Sequence, residues 1–394
     1  MDSSLSNRVQ RIKPSPTLAI TARAKALTDA GENIISLGAG EPDFDTPDHI
    51  KQAAIEAIQN GFTKYTAVAG TPALKQAVAD KFRRENNIEY QTSQILVSCG
   101  GKHSFYNLCQ ALLNQNDEVI IPAPYWVSYP DMVLLADAKP VILNSTMESG
   151  FKITPEQLDA AITKNTKVLV LNSPSNPTGS VYNRDELKAL GEVLLKHPQV
   201  LVISDDIYEH VMLIDEPFIN ILNVCPELYD RCVVLNGVSK AYSMTGWRIG
   251  YAGGPQWLIK GMENIQSQST SNPTSISQVA AQTALNGDQS FIKKTEAAFK
   301  ERHQFVVTSL NSINDVSCLN SDGAFYSFPD FSRVITKLSH VNNDLELAEY
   351  FITHAKVAMV PGSAFGAPGY MRLSFATSME SLRNAMDRIK NVLS

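Results

Sequence analysis

The sequence has no CxxC pair, and its five cysteines (Cys99, Cys109, Cys225, Cys232 and Cys318) are odd in number. A disulfide framework needs paired cysteines, so these read as reduced thiols of a cytoplasmic compartment. No apolar run approaches the roughly 18 residues of a membrane span. The N-terminus, MDSSLSNRVQRIKPSPTLAI, has no apolar core of the signal-peptide kind. Secreted and membrane classes are set aside, and no membrane partner is expected. Positive charge is not in excess: 34 Lys and Arg stand against 40 Asp and Glu, for a net charge of -6. Nucleic-acid binding relies on Lys and Arg neutralising phosphates, so no such partner is expected. Charged residues are 19 % of the chain and hydrophobic ones 44 %, which excludes a disordered chain and fits a large compact body. There is no GxGxxG, since Gly38-Ala39-Gly40 continues as Glu41-Pro42-Asp43. A nicotinamide-dependent dehydrogenase is disfavoured on that ground. Walker loops and HExxH are missing, and His and Cys show no metal-ligand spacing.

The 394 residues are enough for two or three domains. Thr46-Pro47 reads as an N-cap followed by proline at the first helical position, with Ile50, Ala54, Ala57 and Ile58 at helical spacing and Gly61 as the stop. Thr71-Pro72 repeats the signal ahead of Leu74, Val78 and Phe82. Short β-branched strands then follow: 94–98 (QILVS), 118–121 (EVII), 167–171 (KVLVL), 200–204 (VLVIS) and 232–235 (CVVL). Helical patterns such as 185–197 lie between several of them. This alternation predicts an α/β fold with a buried, mostly parallel sheet. A long amphipathic stretch, 291–310, and a last helix, 379–393, mark a change of pattern. We expect a large domain over 46–289 and a smaller α/β domain formed by 1–45 and 290–394.

Open α/β sheets bind ligands beyond the carboxyl ends of their strands. There the sequence places, in order, Gly100-Gly101-Lys102, Trp126, Asn176, Asp205 with Tyr208, and Ser239-Lys240 with Arg248 eight residues on. Singly each has an ordinary reading: a turn, a core aromatic, a helix cap, a solvated lysine. Together they suit one ligand. Amides at a helix start and a guanidinium fork bind a phosphate. Trp126 can stack on a flat ring. Asp205 can hold a ring nitrogen protonated, and Asn176 and Tyr208 can bond a ring oxygen. Lys240 can form a Schiff base where burial and positive charge lower its pKa. That set describes pyridoxal 5'-phosphate.

Five segments carry a family resemblance: 38–47 (GAGEPDFDTP), 123–130 (APYWVSYP), 172–179 (NSPSNPTG), 204–210 (SDDIYEH) and 239–251 (SKAYSMTGWRIGY). Over nearly its whole length the chain resembles the class I aminotransferases of fold type I, most closely the bacterial and plant aspartate and aspartate/prephenate aminotransferases. The resemblance implies a seven-stranded sheet and a role for each matching residue. Lys240 would be the Schiff-base lysine and proton carrier, and Asp205 would hold the pyridine nitrogen. Tyr208 and Asn176 would bind the ring oxygen and Trp126 would stack. Gly100, Gly101, Ser239 and Arg248 would hold the phosphate, joined by Tyr65 from the other subunit of a homodimer. Arg372 and the Gly40 amide would bind the substrate α-carboxylate. Asp206 stands where many relatives have Glu.

For the substrate side chain, the stretch 262–280 lacks the arginine that some aspartate aminotransferases use. In the subgroup resembled, the lysine of Gly-Gly-Lys does that work, which Lys102 matches. Thr17 together with that lysine marks relatives that also convert prephenate to arogenate. The expectation is an aminotransferase with aspartate as donor and 2-oxoglutarate as acceptor, prephenate being a possible second acceptor. The alternatives are an aromatic or alanine aminotransferase or a lyase on the same cofactor, and a non-catalytic regulator that binds it. Only about 35 residues precede GAGEPDFDTP, too few for the DNA-binding module such regulators carry.

Overall fold

A computed structural model describes residues 4–14 and 16–394. Residues 1–3 and 15, part of the expected N-terminal segment, lie outside the described residues. The centre is a seven-stranded sheet: β1 (Ile95–Ser98), β2 (Glu118–Ala123), β3 (Lys139–Asn144), β4 (Thr166–Asn172), β5 (Leu201–Asp205), β6 (Cys232–Gly237) and β7 (Gly250–Gly253). The strand order is β1-β7-β6-β5-β4-β2-β3. Neighbours pair in parallel except β7, which runs against both β6 and β1. The fold class is therefore α/β with a mostly parallel sheet, as expected.

Alternate residues of each strand feed opposite faces of the sheet. Ile95, Val97, Leu169 and Leu171 belong to one apolar cluster with Ile50, Leu74 and Phe82. Leu96, Val168 and Val170 belong to another, with Phe105, Leu108 and Leu258. Helices cover both faces, which is why these strands are apolar throughout. Two strands lay outside the sequence expectation. β3 is an edge strand with Pro140 inside it, a residue that cannot serve a central ladder. β7 reads Gly-Tyr-Ala-Gly, and its glycines carry no strand propensity.

A third cluster gathers Leu37, Phe299, Val306, Phe325, Met371, Leu373 and Ile389. It lies among the helices Ser290–Asn311 and Met379–Leu393 and a small antiparallel sheet of Tyr326–Ser327, Met371–Ser374 and Val360–Pro361. Tyr208 and Val211, just beyond β5, share this cluster. Two local expectations are corrected. Pro47, not Thr46, is the N-cap of helix Asp48–Gln59, because the Thr46 hydroxyl is committed to the Ser243 carbonyl oxygen at 2.7 Å. Ile58 is 53 % exposed, so it does not belong to the buried face with Ile50, Ala54 and Ala57. Thr71 does cap its helix, accepting from the Leu74 amide. Among the described residues no helix is long and apolar enough to cross a membrane.

Candidate cofactor and substrate site

A cavity of about 370 Å³ opens at the carboxyl ends of the parallel strands. It is lined by Thr17, Gly40, Gly101, Lys102, Trp126, Asn176, Asp205, Tyr208, Ser239, Lys240, Arg248 and Arg372, all named from the sequence. Strand register explains part of this convergence. Asn172 and Asp205 are paired neighbours at the ends of β4 and β5, and the Asn172 amide donates to the Asp205 backbone oxygen at 3.0 Å. The Asn172 side-chain oxygen also accepts from the Asn176 amide at 2.9 Å, which fixes the start of the Asn-Pro loop.

At one end of the cavity glycines bring backbone and guanidinium together. Gly100, at φ +92°, precedes the helix Gly101–Leu112, and a Cβ there would sit 2.4 Å from Arg248 Nη2. A Cβ on Gly250 would sit 2.2 Å from the Gly101 nitrogen. Only glycine lets β7 and this helix start approach so closely. Arg248 itself adopts φ +57°, and its Nη1 donates to the Thr245 carbonyl oxygen at 2.8 Å. The helix start, the guanidinium and the nearby buried Ser239 present donors that could hold an anion. Gly100 is not itself part of the cavity wall; it supplies the space in which Arg248 lies.

In the middle, Tyr129 donates its hydroxyl to Asp205 Oδ2 at 2.5 Å. Burial nonetheless pushes the Asp205 carboxyl up to about 6, against the hydrogen bonds from Tyr129 and the Ile207 amide and the charge of Lys240. A carboxylate so placed gains most from a protonated ring nitrogen. Lys240 donates to the Gly40 carbonyl oxygen at 2.5 Å. Burial first, and then the Arg372 and Arg248 charges, lower its pKa to about 8, opposed by Glu41 and Asp205. The amine is thus partly free of its proton near neutrality, as a nucleophile and base requires. Trp126 lies edge-on to Tyr129, and the Lys102 Nζ sits over the Trp126 ring, 5.1 Å from its centroid.

At the far end, buried Arg372 donates to Asn176 Oδ1 at 2.9 Å and to the Gly38 carbonyl oxygen at 2.7 Å. Among the described residues its Nε is buried without a partner, as is the hydroxyl of Thr17. Both are donors awaiting an acceptor. Tyr65 is the residue the structure leaves apart: it is 92 % exposed and does not line the cavity. Tyr129 and Tyr326, both cavity residues, were given no role from the sequence: Tyr129 lies in the quoted segment 123–130 but within a helix beside the more conspicuous Trp126, and Tyr326 lies in none of the quoted segments. The residues present fit pyridoxal 5'-phosphate on this chemistry: a helix start and guanidinium packed without room for side chains, a carboxyl of raised pKa with no ion pair among the described residues, and a lysine of lowered pKa.

Comparison with known proteins agrees. Residues 32–389 match the family model for aminotransferase class I and II. The aspartate/prephenate aminotransferase of Nitrosomonas europaea is 60 % identical, over 99 % of this chain and 100 % of that one. The enzyme of the same name from Cereibacter sphaeroides is 54 % identical over 98 % of both chains. Among solved structures, the aspartate aminotransferase of Rhizobium meliloti has 46 % identity and a TM-score of 0.95, covering 99 % of this chain and 98 % of its own. That of Thermus thermophilus, solved with maleate, has 41 % identity and a TM-score of 0.93, covering 99 % of both. Matched by that family model over residues 32–389, this chain belongs to the class I and II aminotransferases, enzymes whose cofactor is pyridoxal 5'-phosphate.

Proposed function

We propose that this enzyme moves the amino group of aspartate to 2-oxoglutarate, and that it also takes prephenate as acceptor to give arogenate. The observation that carries the reading is Lys102, a cation at the cavity that makes no ion pair among the described residues and lies against the face of Trp126. A dicarboxylic substrate supplies its missing partner; a neutral side chain does not. The relatives named above as aspartate/prephenate aminotransferases support the same choice. The unpartnered Thr17 hydroxyl offers a hydrogen bond to a larger polar acceptor.

The cofactor, when bound, supplies a covalent hold on the amino group and an electron sink for Cα. The chain supplies the rest. Arg372, through its free Nε, and the Gly40 amide bind the α-carboxylate. Lys102 binds the distal carboxylate, so the Cα–H faces Lys240. Lys240 Nζ removes and returns the Cα proton. Asp205, fixed by Tyr129, keeps the ring nitrogen protonated. Asn176 and Tyr208 would bond the ring oxygen, Trp126 would cover the ring, and Gly101, Ser239 and Arg248 would hold the phosphate, with Gly100 leaving room for Arg248.

Residues 46–289 form the large domain, and 1–45 with 290–394 the small one; the cluster that joins Leu37 to Phe299 and Ile389 supports this division. The working unit is a homodimer in which Tyr65 reaches the partner's phosphate cradle. Exposed Ile55, Ile58, Phe62 and Tyr65 support a face covered by a second copy. Five free cysteines, four of them buried, suit a cytoplasmic location. The test is a steady-state assay of purified enzyme with aspartate against each acceptor. Turnover with 2-oxoglutarate and with prephenate is expected. Turnover of alanine or phenylalanine in preference to aspartate overturns the substrate assignment.

A further inference from the structure

Tyr326 is fully buried, lines the cavity and touches three of the groups assigned above. Its short strand pairs with Met371–Ser374, the strand that carries Arg372. Its hydroxyl lies 2.7 Å from the Tyr208 hydroxyl. The Arg372 guanidinium carbon sits over its ring, 4.5 Å from the centroid. A Cβ on Gly40 would approach its hydroxyl to 2.8 Å, so the glycine there makes room for this tyrosine.

We propose that Tyr326 is a positioning residue that ties the substrate-carboxylate clamp, Arg372, to the tyrosine facing the cofactor ring, Tyr208. The proposal rests on the roles given to Arg372 and Tyr208 under the proposed function. Its two halves use different parts of one side chain. The ring face steadies the buried guanidinium by a cation–π contact. Phe365 lies on the same guanidinium, 5.0 Å from its centroid, so the cation is held between two aromatic rings. Among the described residues Arg372 meets no carboxylate, and there it hydrogen-bonds Asn176 and Gly38. A guanidinium held in one plane keeps its Nε aimed for an incoming carboxylate.

The hydroxyl serves Tyr208. Tyr208 has one proton to give. When Tyr326 donates to the Tyr208 oxygen, that proton stays available for the ring oxygen, and the chain of two hydroxyls polarises it into a stronger donor. A stronger donor favours the anionic ring oxygen, so it lowers the pH at which the bound cofactor changes its protonation and its absorbance. Loss of the hydroxyl raises that pH.

The test uses the cofactor-loaded enzyme and two readouts: the pH midpoint of the cofactor absorbance, and the dissociation constant of succinate, a dicarboxylate with no amino group to react. Tyr326→Phe keeps the face and loses the hydroxyl. Its midpoint is expected to rise by about 0.5 pH unit or more, while succinate binding stays within about twofold. Tyr326→Leu loses both parts. It is expected to show the same rise and to weaken succinate binding about five- to tenfold. An unmoved midpoint in the Phe variant overturns the tie to Tyr208. Unchanged succinate binding in the Leu variant overturns the tie to Arg372. Should the Leu variant fail to fold, the Phe variant decides alone: a succinate loss of tenfold, with no midpoint change, contradicts both halves. A wild-type enzyme that does not bind succinate refutes the dicarboxylate reading, and the Phe midpoint still decides the link to Tyr208.

Discussion

Lys240 and Gly40, 200 positions apart in the chain, are joined by a hydrogen bond from the ammonium to the glycine carbonyl oxygen. The contact is the first of a series lacing the segment 40–46 to the loop 240–247. Thr245 donates its hydroxyl to Glu41 Oε2 at 2.8 Å. Thr46 donates to the Ser243 carbonyl oxygen at 2.7 Å and accepts from Trp247 Nε1 at 3.0 Å. Asp43 holds Arg302 through both carboxylate oxygens, anchoring the same segment to helix Ser290–Asn311. Gly40, proposed to bind the substrate carboxylate, is thereby placed by the loop that bears Lys240.

Thr46→Val removes a buried hydroxyl and leaves the Trp247 N–H and the Ser243 carbonyl without their partner. A loss of about 1–3 kcal/mol of unfolding free energy is expected from chemical denaturation. A helix cap deleted at this position would show up instead as local fraying of Asp48–Gln59.

Gly250→Ala places a methyl group within 2.2 Å of the Gly101 nitrogen. Backbone atoms on both sides must move, since no flexible side chain can give way. The expected outcome is a folded protein with at least tenfold weaker retention of pyridoxal 5'-phosphate, measured by dialysis and cofactor absorbance. Full retention would show that the helix start and β7 do not need their close approach to hold the phosphate.

Lys102→Ala removes the cation assigned to the distal carboxylate. A charged hydrogen bond contributes about 1.5–3 kcal/mol, so kcat/KM for aspartate should fall about 10- to 100-fold while that for alanine changes little. Unchanged aspartate kinetics would return Lys102 to the solvated lysine of the ordinary reading.

Stability also depends on pH through a residue outside the site. His303 is buried and accepts a hydrogen bond from the Ser321 amide at its Nε2, 2.9 Å away. Burial lowers its pKa from 6.5 to about 4. Between those values the unfolded chain takes up a proton that the folded chain refuses, so stability falls as pH drops from about 6.5 to about 4. From pH 6.5 to pH 5 this amounts to about 2 kcal/mol. His303→Gln keeps an acceptor for Ser321 and removes the titration. Urea unfolding at the two pH values should show a loss smaller by about that amount in the variant; an identical loss would place the acid sensitivity elsewhere.

Much of the scaffold was readable because its signals are local. The five β-branched strands stand within a few residues of their expected limits, and the helix 379–393 falls where its apolar spacing put it. β3 and β7 were hidden for opposite reasons, one by an internal proline and the other by glycines that leave room for close neighbours, Gly250 for Gly101 and Gly253 for Tyr90. Residues of the cavity wall near strand ends could be placed by position, as Asp205, Trp126 and Lys240 were. Tyr129 sits within a helix and Tyr326 on a two-residue strand far along the chain, and only tertiary packing brings them to Asp205 and Tyr208. Tyr65 could be named from motif resemblance, yet one chain gives its side chain nothing to touch in the cavity.

The most direct measurement follows the bound cofactor through two half-reactions. Purified protein is loaded with pyridoxal 5'-phosphate, exposed to aspartate, freed of it, and then given prephenate. Aspartate should bleach the cofactor band, and prephenate should restore it, as should 2-oxoglutarate in a parallel sample. A fully loaded enzyme whose band aspartate leaves unchanged contradicts the assignment of Lys102 and Arg372 to a dicarboxylic amino acid.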